Sequence, residues 1–268
     1  MHDPLGDRMK SLERAPQTAP FTADLPLYAR VDGRGFSRFT RGMARPFDPR
    51  MLAAMQRTAR ALLEDTAAQA AYVQSDEISL LWAGSDVPGR TPFFGGKTFK
   101  VVSVLAGMAT AQFTRALIEN PEGLDAFLPR APHFDARACQ LPSAETAAEM
   151  IRWRSEDATR NALQMVAQHH FSHKSLQGQD LGVVRRRLDA AGIRMTDFPA
   201  AFRNGTLLLR RKRERPLTSE ERARIPAHHR PAPGAPVLRT TIEEITDPPH
   251  RMADLAEVLL GPAAAPAA

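Results

Sequence analysis

Ala71-Tyr72-Val73-Gln74-Ser75-Asp76-Glu77-Ile78-Ser79-Leu80-Leu81-Trp82 sets two β-prone runs on either side of a short acidic segment. β-Branched and aromatic residues favour extended strands, and Ser and Asp favour turns, so the stretch reads as a hairpin with carboxylates at its tip. Upstream, Leu27-Tyr28-Ala29-Arg30-Val31 alternates as a strand and breaks at Asp32-Gly33-Arg34-Gly35. Another carboxylate therefore stands at a strand end. Neighbouring strands of one sheet can bring such ends together.

Working outward, Asp48-Pro49 supplies an N-cap and a first-turn proline for a helix from about Arg50 to Glu64. Val101, Val102, Val104, Leu105, Met108, Phe113 and Leu117 predict a largely buried helix between Lys97 and Glu119, with Lys97 and Lys100 in its first turn beside the acidic tip. A strand over His133–Cys139 precedes a long helix capped by Ser143 and reaching about His170. This order predicts an α+β domain over residues 1–175, an antiparallel sheet covered by helices on one face. Residues 176–260 read as a helical and basic C-terminal extension of the same unit, with a basic strand around Thr206–Arg210 and a proline-rich stretch. Residues 261–268 are low in complexity and expected to be disordered.

Of the 268 residues, 43% are hydrophobic and 25% charged, which excludes a disordered or fibrous chain. The unbroken apolar runs are shorter than the roughly 20 residues of a membrane span, and the first residues lack an apolar leader, so a soluble, cytoplasmic protein is expected. The single Cys139 has no disulfide partner and reads as a packed strand residue. The adjacent pairs His169-His170 and His228-His229 diverge on regular elements and make poor metal ligands. Lys and Arg exceed Asp and Glu by 36 to 30, and Arg210-Arg211-Lys212-Arg213 with Arg215 form the densest basic run. From charge alone these cations suit the phosphates of a polyanionic partner, bound without reading sequence, the alternative being a solvated face.

Carboxylates with water are the ligands Mg²⁺ prefers, and two such ions about 3.5–4 Å apart promote phosphoryl transfer. Asp32 and Asp76-Glu77 are the candidate set, with the Gly33 carbonyl accessible and the amides of residues 33–37 able to face a triphosphate. The ordinary alternative is turn chemistry. Gly33-Arg34-Gly35-Phe36-Ser37-Arg38 fails the dinucleotide fingerprint at its last position, and no phosphate-loop or hydrolase motif is present.

At Arg30-Val31-Asp32-Gly33-Arg34-Gly35-Phe36-Ser37-Arg38-Phe39-Thr40 and Gln74-Ser75-Asp76-Glu77-Ile78-Ser79 the chain strongly resembles the tRNA-His guanylyltransferase family. The likeness continues through Lys97, Lys100, Phe134-Asp135-Ala136-Arg137, Trp153-Arg154, Asp157 to Asn161 and Phe171 to Lys174, covering most of the chain from Leu5 to about Thr206. It implies a polymerase-like palm that adds nucleotides to the 5′ end of tRNA in the 3′-to-5′ direction. It implies Asp32, Gly33 and Asp76 as ligands of two Mg²⁺ ions, with Asp32, Asp76 and Glu77 catalytic. Residues Asp32, Gly33, Arg34, Gly35, Phe36, Ser37, Ser75, Asp76, Lys97 and Lys100 would hold ATP, GTP or another nucleoside triphosphate, and Arg30, Arg154, Arg160, Asn161 and Lys174 the second substrate. A homotetramer is implied as well.

Thr159 stands where eukaryotic members carry histidine, and Thr159-Arg160-Asn161-Ala162-Leu163-Gln164 and Leu5 to Lys10 resemble the bacterial and archaeal guanylyltransferase-like branch. That branch implies template-dependent repair of 5′-truncated tRNA; the alternative is addition of a single guanosine to tRNA-His. A nucleotide cyclase or a non-catalytic RNA-binding protein are more distant readings. The latter leaves the acidic cluster unexplained, because carboxylates repel phosphate unless cations offset them.

Overall fold

A computed structural model describes residues 3–14, 19–85, 87–120 and 122–261. In chain order, α1 (Pro4–Arg14) leads to β1 (Leu27–Gly33), the short α2 (Phe36–Phe39) and α3 (Pro49–Thr66). The hairpin β2 (Ala70–Gln74) and β3 (Glu77–Trp82) follows, then α4 (Thr98–Ile118), β4 (Phe134–Gln140) and α5 (Ala144–His170). The remainder comprises α6 (His173–Leu176), α7 (Leu181–Ala190), α8 (Ala200–Asn204), β5 (Thr206–Pro216), α9 (Ser219–Ala223), β6 (Pro236–Ile245) and α10 (Leu255–Leu260).

The helices start where their caps predict. Asp48 accepts from the Arg50 amide at the head of α3, and Ser143 from the Thr146 amide at the head of α5. The strands form one six-stranded antiparallel sheet in the order β4-β1-β3-β2-β5-β6. The sheet thus crosses the boundary expected near residue 175, since β5 pairs with β2 and β6 with β5. β6 has no clear strand signature; its proline sits at the strand start on the sheet's outer edge, where no ladder bond is lost.

Helices cover both faces of the sheet, which corrects the one-face expectation. Leu27, Ala29, Val31, Val73, Ile78 and Leu80 meet α3 and α4 through Met55, Leu62, Leu105 and Phe113. The alternate positions Tyr28, Tyr72, Leu81, Leu207 and Leu209 meet α1, α5 and α10 through Met9, Met150, Ile151, Leu255 and Leu259. Because both side-chain sets are apolar along most of each inner strand, neither face can be left in water. Each large buried side chain contributes about 1.5–3 kcal/mol. The second half of α5 runs past the sheet into a smaller core with α7, through Leu163, Val166, Val184 and Leu188. α4 is long and apolar enough to span a membrane by length and composition, yet its Val101, Leu105, Ala109 and Phe113 are buried against the sheet. Cys139 is buried in β4, where burial pushes its thiol up to about 12.

Candidate active site at the hairpin end of the sheet

Gln74 pairs with Glu77, leaving Ser75-Asp76 as a two-residue turn with Ser75 in the left-handed region at φ 47°. The Gly33 amide donates to the Asp76 carbonyl at 3.0 Å, so the turn is tied to the end of β1. Gly33 admits no side chain: a Cβ there would lie 2.5 Å from the Phe36 ring. Phe36 is itself buried against Phe39, Phe113 and Phe134, and this aromatic cluster anchors the loop after β1.

The register sets Asp32 opposite Glu77 on one side and Asp135 on the other. Burial raises the Asp32 carboxyl, and the negative charges of Glu77 and Asp135 add to the rise against the pull of Arg30 and Arg137. Asp76 is pushed up to about 6, by burial first and then by Asp32. Asp32 and Asp76 are thus two carboxylates that a cation would relieve. Among the described residues no group of three or more His, Cys, Asp or Glu side chains is gathered for metal binding. Two carboxylates and the Gly33 carbonyl still suit Mg²⁺, which keeps waters and uses few protein ligands beside substrate phosphates.

Glu77 departs from the expected acidic cluster. Arg154 grips it bidentately, with Nε donating to Oε1 at 2.7 Å and a terminal nitrogen to Oε2 at 2.6 Å, while Arg30 stands 3.7 Å away. Both arginines are buried, at 6% and 8% exposure, and in this structure they turn to carboxylates inside the protein, where the resemblance implied contacts to the second substrate. They belong to a chain of charges. Glu13 of α1 pairs with Arg30 at 3.1 Å, and Arg154 also donates to Asp157 at 3.0 Å. Asp157 in turn accepts from Asn161 at 3.3 Å and faces Arg160 at 3.4 Å. The Glu77 side chain belongs to the face covered by α5, where these partners satisfy it. Glu13 escaped the sequence reading because a single Glu in a charged helix carries no signal of burial.

A cavity of about 310 Å³ opens beside the turn. Of the residues picked out in the sequence, Phe36, Ser37, Ser75, Asp76 and Asn161 line it. Thr40, Met43, Phe47, Asp48, Met165 and Phe202 complete much of the wall, and none of these stood out in the sequence as a ligand contact. Phe47 and Phe202 stack with centroids 4.6 Å apart, a pairing between loop and α8 that only the fold creates. The Arg50 guanidinium and the Ala44 and Arg50 amides hold Asp48 down at about 2, so it is ionised and structural at the cavity floor.

The remaining cations fall elsewhere. Lys97 and Lys100 do not stand beside the acidic tip: Phe93 stacks on Trp82 and Gly96 abuts Phe21, which puts the head of α4 at the opposite end of the sheet. α4 approaches Phe36 only through Phe113, several turns on. Lys174 is exposed on α6, and Arg34 and Gly35 are exposed outside the cavity wall. The basic run also divides. Arg210 donates to the carbonyls of Leu63, Glu64 and Ala68 at the end of α3, and Arg215 pairs bidentately with Glu221, both at 2.7 Å. The expectation of a uniform phosphate-binding run is corrected on that account.

A six-stranded antiparallel sheet sheathed by helices defines a mixed α+β class that solved structures share. A model of the tRNAHis guanylyltransferase family matches residues 6–142, about half of the chain, and the chain belongs to that family. A bacterial tRNA(His) guanylyltransferase-like protein in complex with ATP is 32% identical with a TM-score of 0.65, covering 77% of this chain and 87% of that one. One in complex with GTP is 26% identical with the same TM-score, covering 92% and 94%. The tRNA(His) guanylyltransferase of Schizosaccharomyces pombe is 31% identical over 58% of this chain and 56% of its own length. An uncharacterised protein of Acanthamoeba polyphaga mimivirus is 30% identical over 64% of each. The chain thus spans less than two thirds of these two relatives.

Proposed function

We propose that this protein adds nucleotides to the 5′ end of tRNA in the 3′-to-5′ direction, repairing 5′-truncated tRNA against the opposite acceptor strand. The observation that carries the reading is the pair Asp32 and Asp76 at adjoining strand and turn ends, both carboxyls raised first by burial, with Asp76 lining a nucleotide-sized cavity in a chain of this family. The ATP and GTP complexes of the similar bacterial proteins support a nucleoside triphosphate as its occupant.

In this reading the apolar wall of Met43, Phe47 and Phe202 receives the base, and Ser37, Ser75 and Asn161 offer polar contacts to the remainder. Asp32, Asp76 and the Gly33 carbonyl would hold Mg²⁺, which when bound would offset phosphate charge and favour phosphoryl transfer. The incoming nucleotide's 3′-hydroxyl attacks the activated 5′ phosphorus of the RNA. A new P–O bond forms, the hydroxyl proton is lost, and pyrophosphate or a nucleoside monophosphate leaves. Arg154 and Arg30 act at one remove, fixing Glu77 and so the strand ends that carry Asp32 and Asp76.

Thr159 supports templated choice of base. Its hydroxyl donates to the Ser155 carbonyl within α5, so it is satisfied in its own helix and absent from the cavity wall. The test varies the templating base opposite the gap in tRNAs lacking a 5′ nucleotide and identifies the nucleotide added. Addition that follows the template is expected. Guanosine addition to tRNA-His alone, whatever the template, would replace this reading with the narrower guanylyltransferase one.

A further inference from the structure

We propose that Tyr72 is a positioning residue for the nucleotide cavity, its hydroxyl holding the end of α8 so that the Phe202 ring stands where the base of the incoming nucleotide packs. The proposal rests on the reading of that cavity as the nucleotide site. Tyr72 is absent from the cavity wall and fully buried in the core between the sheet and α5, so it acts through the residues it holds.

The hydroxyl donates to the Asn204 carbonyl at 2.5 Å, at the short end of the range for such bonds. Burial raises the Tyr72 pKa, so the group stays protonated and remains a donor. The backbone is shaped to bring these atoms together. Gly205 follows at φ 71°, and a Cβ there would lie 2.7 Å from the Val73 carbonyl oxygen and closer still to the Tyr72 hydroxyl. Asn204 also donates from Nδ2 to the Thr246 carbonyl at 3.0 Å, which fastens the same residue to the chain leaving β6.

α8 has five residues and no side-chain cap at its start, so little within it fixes its direction. Phe198 and Phe202 give it apolar contact with the smaller core of α5 and α7. Such contact is non-directional and leaves so short a helix free to slide or turn, whereas a hydrogen bond fixes both a length and an angle. Asn204 is two residues from Phe202, so the Tyr72 bond sets where that ring lies, stacked on Phe47 at 4.6 Å with 19° between the planes. On the other side, Tyr72 lies on β2, the strand that runs into the Ser75-Asp76 turn, and both turn residues line the same cavity. One hydroxyl thus joins the strand leading to a carboxylate with the helix bearing the stacking ring.

The experiment measures equilibrium binding of ATP with Mg²⁺, the melting temperature, and addition to a tRNA whose gap faces uridine, so that ATP is the nucleotide added. Tyr72→Phe keeps the ring and removes the hydroxyl. It is expected to raise the Kd and KM for ATP roughly tenfold with kcat changed less than about twofold, the split produced by a contact made equally in ground and transition states. Phe202→Leu is expected to weaken ATP in the same way, and Y72F/F202L to be no weaker than Phe202→Leu alone, since the hydroxyl acts through the ring. Tyr28→Phe removes an equally buried hydroxyl, bonded to Ser79 at 3.0 Å, and should lower the melting temperature with ATP binding unaltered. Wild-type Kd and KM in Tyr72→Phe beside a weakened Phe202→Leu overturn the proposal and leave the cavity as the nucleotide site. Additive losses in the double variant, or an equal loss of ATP binding in Tyr28→Phe, overturn it as well. Unaltered ATP binding in Phe202→Leu takes the nucleotide out of this cavity, and the proposal falls with that reading.

Discussion

Asp76 and Arg213 occupy opposite ends of one antiparallel sheet, and each belongs to a group of like charges that the fold leaves uncompensated. Next to each in sequence is a charge with the opposite fate. Glu77 follows Asp76 and is clamped by Arg154; Arg210 lies three residues before Arg213 and caps α3. A charged residue whose field is answered inside the protein serves the fold, and one whose field is unanswered is available to a ligand. Position in a motif or a run does not separate the two, whereas the partner does.

The largest effect expected from that division is at the carboxylates. Asp76→Asn and Asp32→Asn should each lower nucleotide addition by roughly three powers of ten. Neither should lower the melting temperature, because each removes repulsion from a site where burial already disfavours charge. A variant that kept near-wild-type turnover with Mg²⁺ would take that carboxylate out of the site.

Glu77→Ala should behave in the opposite way. It leaves Arg154 and Arg30 buried without their shared counter-charge, at a cost of about 3–5 kcal/mol in a denaturant titration. Activity should fall in step with folding, and turnover per folded molecule should fall less than in Asp76→Asn. Unaltered stability would return Glu77 to the ligand set the sequence motif implied.

pH sharpens the same contrast. Asp76 has its folded pKa raised to about 6, above the ordinary 3.8, so between those values the folded state holds the proton more tightly than the unfolded chain. Its contribution to stability in metal-free protein is therefore gained as pH falls through about 6. Activity requires the ionised form, which bound Mg²⁺ favours, so with Mg²⁺ present activity should be lost only at lower pH than that at which this stability component appears. Melting curves from pH 7 to 4.5 should show this component, and Asp76→Asn should abolish it. A metal-free protein whose Asp76-dependent stability fell with acid would contradict the crowded, buried setting of that carboxylate.

The sequence made the hairpin, its acidic tip, the capped starts of α3 and α5 and the strand before Asp32 legible, because each depends on neighbours within a few residues. What it hid depends on partners far away in the chain. Burial of the second face of the sheet needs α1, α5 and α10 together. Glu13 meets Arg30 only after α1 packs on β1, and Phe47 meets Phe202 only when α8 closes over the loop before α3. Lys97 and Lys100 were misplaced for the same reason, since helix direction across a sheet is not encoded in the helix itself.

Arg210 gives the smallest and most discriminating test. α3 ends with Ala67 in the left-handed region, so the carbonyls of its last turn need partners from outside the helix; the Trp82 indole already donates to that of Thr66. The Arg210 guanidinium takes three carbonyls there, Leu63 at 2.8 Å, Glu64 at 3.0 Å and Ala68 at 3.2 Å, and adds a positive charge where the helix dipole favours one. Arg210→Met keeps much of the side-chain stem and removes the donors, so it should cost about 1–2 kcal/mol. Arg210→Lys should recover part of this, since a single ammonium restores the charge but cannot span three acceptors. Neither change should alter the salt slope of tRNA binding, although Arg210 belongs to the same basic run as Arg211 and Arg213. A flattened slope in Arg210→Met, with the melting temperature unchanged, would mean that this side chain leaves the helix end to meet RNA, and the division between answered and unanswered charges would fail at its closest boundary.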